Sequence, residues 1–157
     1  SDPMSVLELK IPPPLVAIAV AGGMYAAASL LSPLLSLPPG LRVGAALALA
    51  GVGASFDLAG LLAFRKAKTT VNPLTPNKSA TVVTTGVYRL TRNPMYLGLA
   101  LMLLALAVYL ASPWALLGPL VFAAYITRFQ IVPEERILTA RFGTAYSAYC
   151  AQVRRWL

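Results

Sequence analysis

The sequence predicts an all-α membrane protein with about four transmembrane helices in two hairpins, and three observations carry that prediction. First, 58% of the 157 residues are hydrophobic and only 11% are charged, where a soluble domain carries about 25% charged residues. Second, the apolar residues gather into four runs, 14–35, 41–64, 95–111 and 114–127. The first two exceed the roughly 20 residues that cross a bilayer, and the last two lie near the lower limit. Third, Arg65, Lys66, Lys68, Lys78, Arg89 and Arg92 lie between spans two and three, and Arg128, Arg136, Arg141, Arg154 and Arg155 follow span four. Lys10 joins them and Arg42 stands alone opposite, so this side is predicted to be cytosolic, with both termini on it.

The elements follow in order. Residues 1–4 read as a non-native lead-in ending on a start methionine, which leaves 5–64 as the N-terminal transmembrane hairpin. Ala26-Ala27-Ala28 resembles a signal cleavage site, but the length of the run and its single preceding lysine favour an uncleaved anchor. Ser36-Leu37-Pro38-Pro39-Gly40 turns the chain. In span two, Gly44, Gly51, Gly53 and Gly60 suit close helix packing rather than a dinucleotide loop, since no strand precedes them. Asp57 is an acid inside a span, at a cost of about 2.5 to 3.5 kcal/mol near the bilayer centre. It reads either as a polar contact between helices or as the lining of a substrate path.

The core of the chain, 65–157, begins with a cytosolic loop, 65–93, that is long for a simple connection. Its β-branched Thr81-Val82-Val83-Thr84-Thr85, followed by Gly86, predicts an ordered turn. A second transmembrane hairpin, 94–131, turns at Ser112-Pro113. The amphipathic region 132–157 opens with Pro133-Glu134-Glu135, good helix-start chemistry. Leu138, Phe142, Ala145, Tyr149, Val153 and Trp156 then recur at steps of three and four, with a break expected near Gly143 and Thr144 as the next N-cap.

The formal charge of +8 flanks apolar spans and so reports topology and anionic headgroups rather than nucleic acid. Absence of histidine excludes imidazole bases and His-ligated metals, and a single cysteine, Cys150, excludes an internal disulfide. Cys150 itself reads as a small apolar filler.

Polar chemistry concentrates at the membrane edge, in Val87 to Gly98 and again after span four. From the residues alone, Glu134 and Glu135 are either helix-capping carboxylates or acceptors for a ligand's hydroxyl or cationic groups. Arg89 and Arg92 are either interfacial anchors or ligand holders, and Tyr88 and Tyr96 either belt aromatics or pocket walls.

Gly86-Val87-Tyr88, Arg92-Asn93-Pro94, Tyr96 and Gly98, followed after one hairpin by Glu134-Glu135, Leu138, Phe142-Gly143, Tyr146, Tyr149 and Arg154, resemble the isoprenylcysteine carboxyl methyltransferase and phospholipid methyltransferase superfamily. The resemblance covers roughly residues 65–157. It implies an integral-membrane, S-adenosylmethionine-dependent methyltransferase of a lipophilic acceptor, either an isoprenylcysteine-like carboxylate or a lipid amine or other small lipophile. It also implies a cofactor cleft formed by the cytosolic loop and the C-terminal helices. Tyr88, Arg92, Asn93, Pro94, Tyr96, Gly98, Glu134, Glu135, Leu138 and Tyr146 would form the cofactor site, with Arg128, Glu135 and Arg154 nearest the chemistry and no metal. The superfamily's Arg-His-Pro stands here as Arg92-Asn93-Pro94, so hydrogen bonding at position 93 survives and proton transfer there does not. The implied location is a bacterial cytoplasmic membrane. Two other classes account for the same composition: a four-span transporter or channel subunit using Asp57 as its coupling charge, and a superfamily member that has lost catalysis and serves membrane assembly.

Overall fold

Apolar runs of this length must satisfy their backbone groups internally, and helices do so within one segment. The computed structural model describes residues 3–31, 35–67 and 82–157, and among them all regular structure is helical. The elements are α1 (Pro13–Leu30), α2 (Pro39–Ala67), α3 (Pro94–Leu110), α4 (Leu117–Ile126), α5 (Val132–Phe142) and α6 (Thr144–Gln152). Short 3₁₀ turns, Pro3–Leu7 and Gly86–Arg89, precede α1 and α3. Pro13, Pro39 and Pro94 each stand at a first helical position, where a missing amide hydrogen costs nothing.

Helices α1 and α2 are long and apolar enough to cross a membrane, and α3 is shorter. Only 22% and 17% of the apolar windows of α1 and α2 are buried within the protein, so these are not core helices of a soluble domain. Helix α2 packs along α3, while α1 packs against α3 and α4. At one end the two hairpin turns meet, with the Leu35 amide donating to the Ala111 carbonyl at 2.6 Å and Arg42 lying 5.5 Å over the Tyr109 ring. The hydroxyl of buried Ser112 accepts from the Ala115 amide and steadies the second turn.

Two apolar clusters result. One fills the space between α1, α3 and α4 around Met24, Leu103, Ala107, Phe122 and Ile126. The other lies at the opposite end, where Ala63 of α2 meets Val83, Tyr88, Tyr146, Tyr149 and Val153. That second cluster roots the polar site.

Several expectations are corrected. The helix does not stop before Pro133: α4 runs through a π-helical turn, Thr127–Ile131, directly into α5. The wider turn accommodates a proline that has no amide hydrogen to give. Trp114 lies in the preceding turn rather than in the fourth helix. At the α5–α6 junction Gly143, with φ of 58°, occupies the cap position and Thr144 is the first helical residue. Of the span-two glycines, Gly53 and Gly60 press against α3, whereas Gly44 and Gly51 face open space. Asp57 sits at the α2–α3 crossing beside Gly98, with its Oδ1 buried and unpartnered. Residues 68–81, which include Lys68, Lys78 and Thr81 of the loop, lie outside the described residues.

Candidate functional site

The segment entering α3 is shaped by local chemistry. Gly86 adopts φ of 62°, a left-handed conformation that favours glycine, and so starts the 3₁₀ turn that points Tyr88 inward. Tyr88 is buried, packs edge-on to Phe64 at 5.5 Å, and its carbonyl accepts from the Tyr149 hydroxyl at 2.7 Å. Thr91, fully buried, accepts from the Asn93 amide at 3.1 Å and donates to the Arg155 carbonyl.

The chain's tail closes onto that segment. The Arg92 amide donates to the Arg154 carbonyl at 3.0 Å, and the Asn93 side-chain amide donates to the Arg155 carbonyl at 2.9 Å. Asn93 therefore holds the tail instead of capping α3.

Around these braces the charged groups converge. Arg155 grips Glu135 with two hydrogen bonds, Nε to Oε2 at 3.2 Å and Nη2 to Oε1 at 2.7 Å, the bidentate geometry a guanidinium favours. Arg92 Nη1 lies 3.2 Å from Glu135 Oε2 and also donates to Cys150 Sγ at 2.6 Å, while its Nε is buried without a partner. Beside this cluster, the Tyr96 hydroxyl and the Gln130 side-chain amide both donate to Glu134 Oε1.

The two adjacent carboxylates thus differ. Burial pushes the Glu134 carboxyl up to about 7, with the Glu135 charge adding to the rise and the bonds from Tyr96 and Gln130 opposing it. Glu135 hydrogen-bonds to Arg155 and holds that guanidinium above its ordinary value. Burial raises the phenols of Tyr88, Tyr146 and Tyr149 well above the usual range, so these aromatics remain neutral walls.

Of the residues expected at a site, Arg92, Asn93, Pro94, Tyr96, Glu134 and Glu135 come together, with Tyr88, Tyr146 and Leu138 in the apolar cluster beneath. Gly98 lies instead at the α2–α3 crossing, where a Cβ would meet Gly53 and Asp57. Arg128 pairs with Glu8 at 2.9 Å, and the Arg154 side chain is exposed. Arg155 and Gln130 were not anticipated. Gln130 precedes Glu134 by one helical turn, a spacing that would have pointed to it once the helix was known to continue through Pro133. A surface hollow of about 440 Å³, lined by Thr84, Arg89, Ala145, Tyr149, Gln152 and Val153 among others, adjoins the cluster and shares Tyr149 with its apolar base.

A profile of the phospholipid methyltransferase family matches residues 41–145. An uncharacterised protein of Haemophilus influenzae is 46% identical over 63 residues, which span 40% of this chain and the whole of that relative. No solved structure matches. The chain belongs to the phospholipid methyltransferase family, whose match takes in α2, α3, α4, α5 and both carboxylates of the site.

Proposed function

We propose that the protein is an S-adenosylmethionine-dependent methyltransferase of the cytoplasmic membrane, acting on a lipophilic acceptor, with four spans and both termini in the cytosol. The reading rests above all on one observation, the Arg92–Glu135 ion pair that joins the entry to α3 with the start of α5. The donor set suits the cofactor: Arg92 and Asn93 for its carboxylate, Glu135 for its ammonium, Glu134 for its hydroxyls, and buried aromatics for its adenine. The unpartnered Arg92 Nε is a donor awaiting an acceptor. When bound, S-adenosylmethionine supplies a methyl group on a positive sulfur, which leaves the protein to align and to exclude water.

For an amine acceptor, Glu134, pushed up to about 7, is suited to take a proton near neutral pH. For a carboxylate acceptor, exposed Arg154 orients the headgroup, while Arg128 is engaged by Glu8. A water-soluble donor and a bilayer-dissolved acceptor meet only at the boundary, which is where the polar cluster stands in this topology.

Calorimetry with S-adenosylhomocysteine on the detergent-purified protein tests the assignment. Saturable binding is expected for the wild type, and Glu135→Gln or Asn93→Ala should weaken it more than about tenfold, because each leaves a shielded partner unpaired. Binding indifferent to both substitutions overturns the site. Transfer of a labelled methyl group to a total lipid extract then identifies the acceptor.

A further inference from the structure

The segment before α1, which lies ahead of the region matched by the family, is tied to the base of the site. Pro133 has no amide hydrogen, so the carbonyl of Phe129, four residues earlier, lacks its usual helical donor. The Leu9 amide supplies it at 2.9 Å. Leu9 reaches that position with φ of 57°, a left-handed conformation costing a non-glycine residue about 1 to 2 kcal/mol. Such strain persists only where the surroundings over-determine it.

Next to Leu9, Glu8 accepts from Arg128 Nη1 at 2.9 Å and from Arg136 Nη1 at 3.1 Å. Arg128 belongs to the π-turn and Arg136 to α5, so one carboxylate spans the junction between them. The Glu8 side chain is only 14% exposed, and the guanidiniums of Arg136 and Arg128 hold its carboxyl below the ordinary value. Inside the braced junction lies buried Gln130, whose amide donates to Glu134.

We propose that Glu8 is a positioning residue: by bracing Arg128 and Arg136 across the π-turn, it keeps Gln130 and Glu134 aligned with Tyr96, so a segment outside the catalytic region sets the geometry of the site. A π-turn is an uncommon helical form, found mostly as a single turn at functional sites. Without the brace, the turn that Pro133 imposes loses the contact fixing its two flanks, so Gln130 shifts away from Glu134 and water reaches the carboxyl. Besides Gln130, the titratable groups that face Glu134 are Tyr96 on α3, Tyr88 on the 3₁₀ turn and Glu135 on its own helix. None of them is moved directly by a change at Glu8.

This deepens the methyltransferase reading and rests on it only where cofactor affinity is measured. The test compares wild type, Glu8→Gln and Arg136→Gln, all detergent-purified, carbon-13 labelled at glutamate and nitrogen-15 labelled at glutamine, with Glu134→Gln assigning the Glu134 carboxyl signal and Gln130→Ala the Gln130 amide. In both variants the Glu134 titration midpoint should fall by at least about half a pH unit, because hydration removes the burial that dominates its rise and outweighs the lost Gln130 bond, which acts in the opposite direction. The Gln130 side-chain amide signal should lose its hydrogen-bonded shift, and S-adenosylhomocysteine affinity should drop about tenfold. A role confined to stability would lower the melting temperature and leave the Glu134 midpoint and Gln130 signal at their wild-type values, which overturns the proposal. Arg136→Gln, at an exposed side chain, keeps the test decisive should Glu8→Gln fold poorly. Should the wild type bind no S-adenosylhomocysteine, the methyltransferase reading falls, and the carboxyl titration still decides the role of Glu8.

Discussion

Glu134 and Glu135 are sequence neighbours with different surroundings, and those of Glu134 make a pH prediction. Glu135 faces two guanidiniums, whereas Glu134 is half-buried against neutral donors and desolvation raises it to about 7. Between the ordinary carboxyl value of about 4.5 and about 7 the folded protein therefore binds more protons than the unfolded chain, and stability falls as pH rises through that window. The full cost, on the order of 3 kcal/mol, is felt above pH 7 and vanishes below the unfolded value. Glu134→Gln keeps an acceptor for Tyr96 and Gln130 but has no charge to bury, so thermal unfolding followed by circular dichroism should show a flatter pH profile and a higher melting temperature at pH 8. A wild-type profile that rises across the same window would refute the assignment. The adjacent arginines show where the sequence reading of the site stopped short. The family resemblance favoured Arg154, and the helical stripe was expected to run on through Trp156, but α6 ends at Gln152 and Val153 is extended. In an extended tail successive side chains point to opposite faces, so Arg155 takes Glu135 and Arg154 faces outward. Arg155→Ala should cost about 1 kcal/mol in unfolding experiments, discounted for its partial exposure, and Arg154→Ala less than about 0.5 kcal/mol.

At the scale of elements, the α2–α3 crossing fixes where the site stands. A Cβ on Gly53 would come within 2.7 Å of the Gly98 carbonyl, and one on Gly98 would collide with the Gly53 carbonyl and Asp57. Backbone cannot yield as a flexible side chain can, so Gly53→Ala or Gly98→Ala should each cost about 1 to 3 kcal/mol and displace the entry to α3. Gly44→Ala and Gly51→Ala meet nothing within 4 Å and should be close to neutral or mildly stabilising in the same melts. The sequence made the helices legible because apolar length and proline placement are local signals: α2 and α3 begin within two residues of the expected positions. It separated Gly53 from Gly51 less well, since a glycine's partner belongs to another helix. The continuous helix through Pro133 was illegible for the same reason. Proline normally marks a helix start, and only the π-turn, with the distant Leu9 amide on the Phe129 carbonyl, lets the helix pass.

Across the whole molecule, both hairpin turns meet at one end and the polar cluster, α5 and α6 gather at the other. Among the described residues, basic side chains concentrate in the segments at the second end, and each one near an anionic leaflet contributes roughly 1 kcal/mol of attraction, so charge and architecture favour the same orientation. Cys150 is the single cysteine, which makes the orientation simple to measure. In a Cys150→Ser background expressed in a bacterial inner membrane, Ser36→Cys at the hairpin end should react with an impermeant maleimide in intact spheroplasts. Arg141→Cys, at an exposed position on α5, should react only after the membrane is opened. The reverse pattern would put the Arg92–Glu135 cluster outside the cell, away from a cytosolic methyl donor, and a uniform reaction at both positions would remove the membrane barrier on which the two-hairpin topology depends. Because α1 and α2 bury so little of their apolar surface within the protein, lipid is the solvent that must cover it. The labelling pattern therefore tests the fold and the placement of its chemistry together.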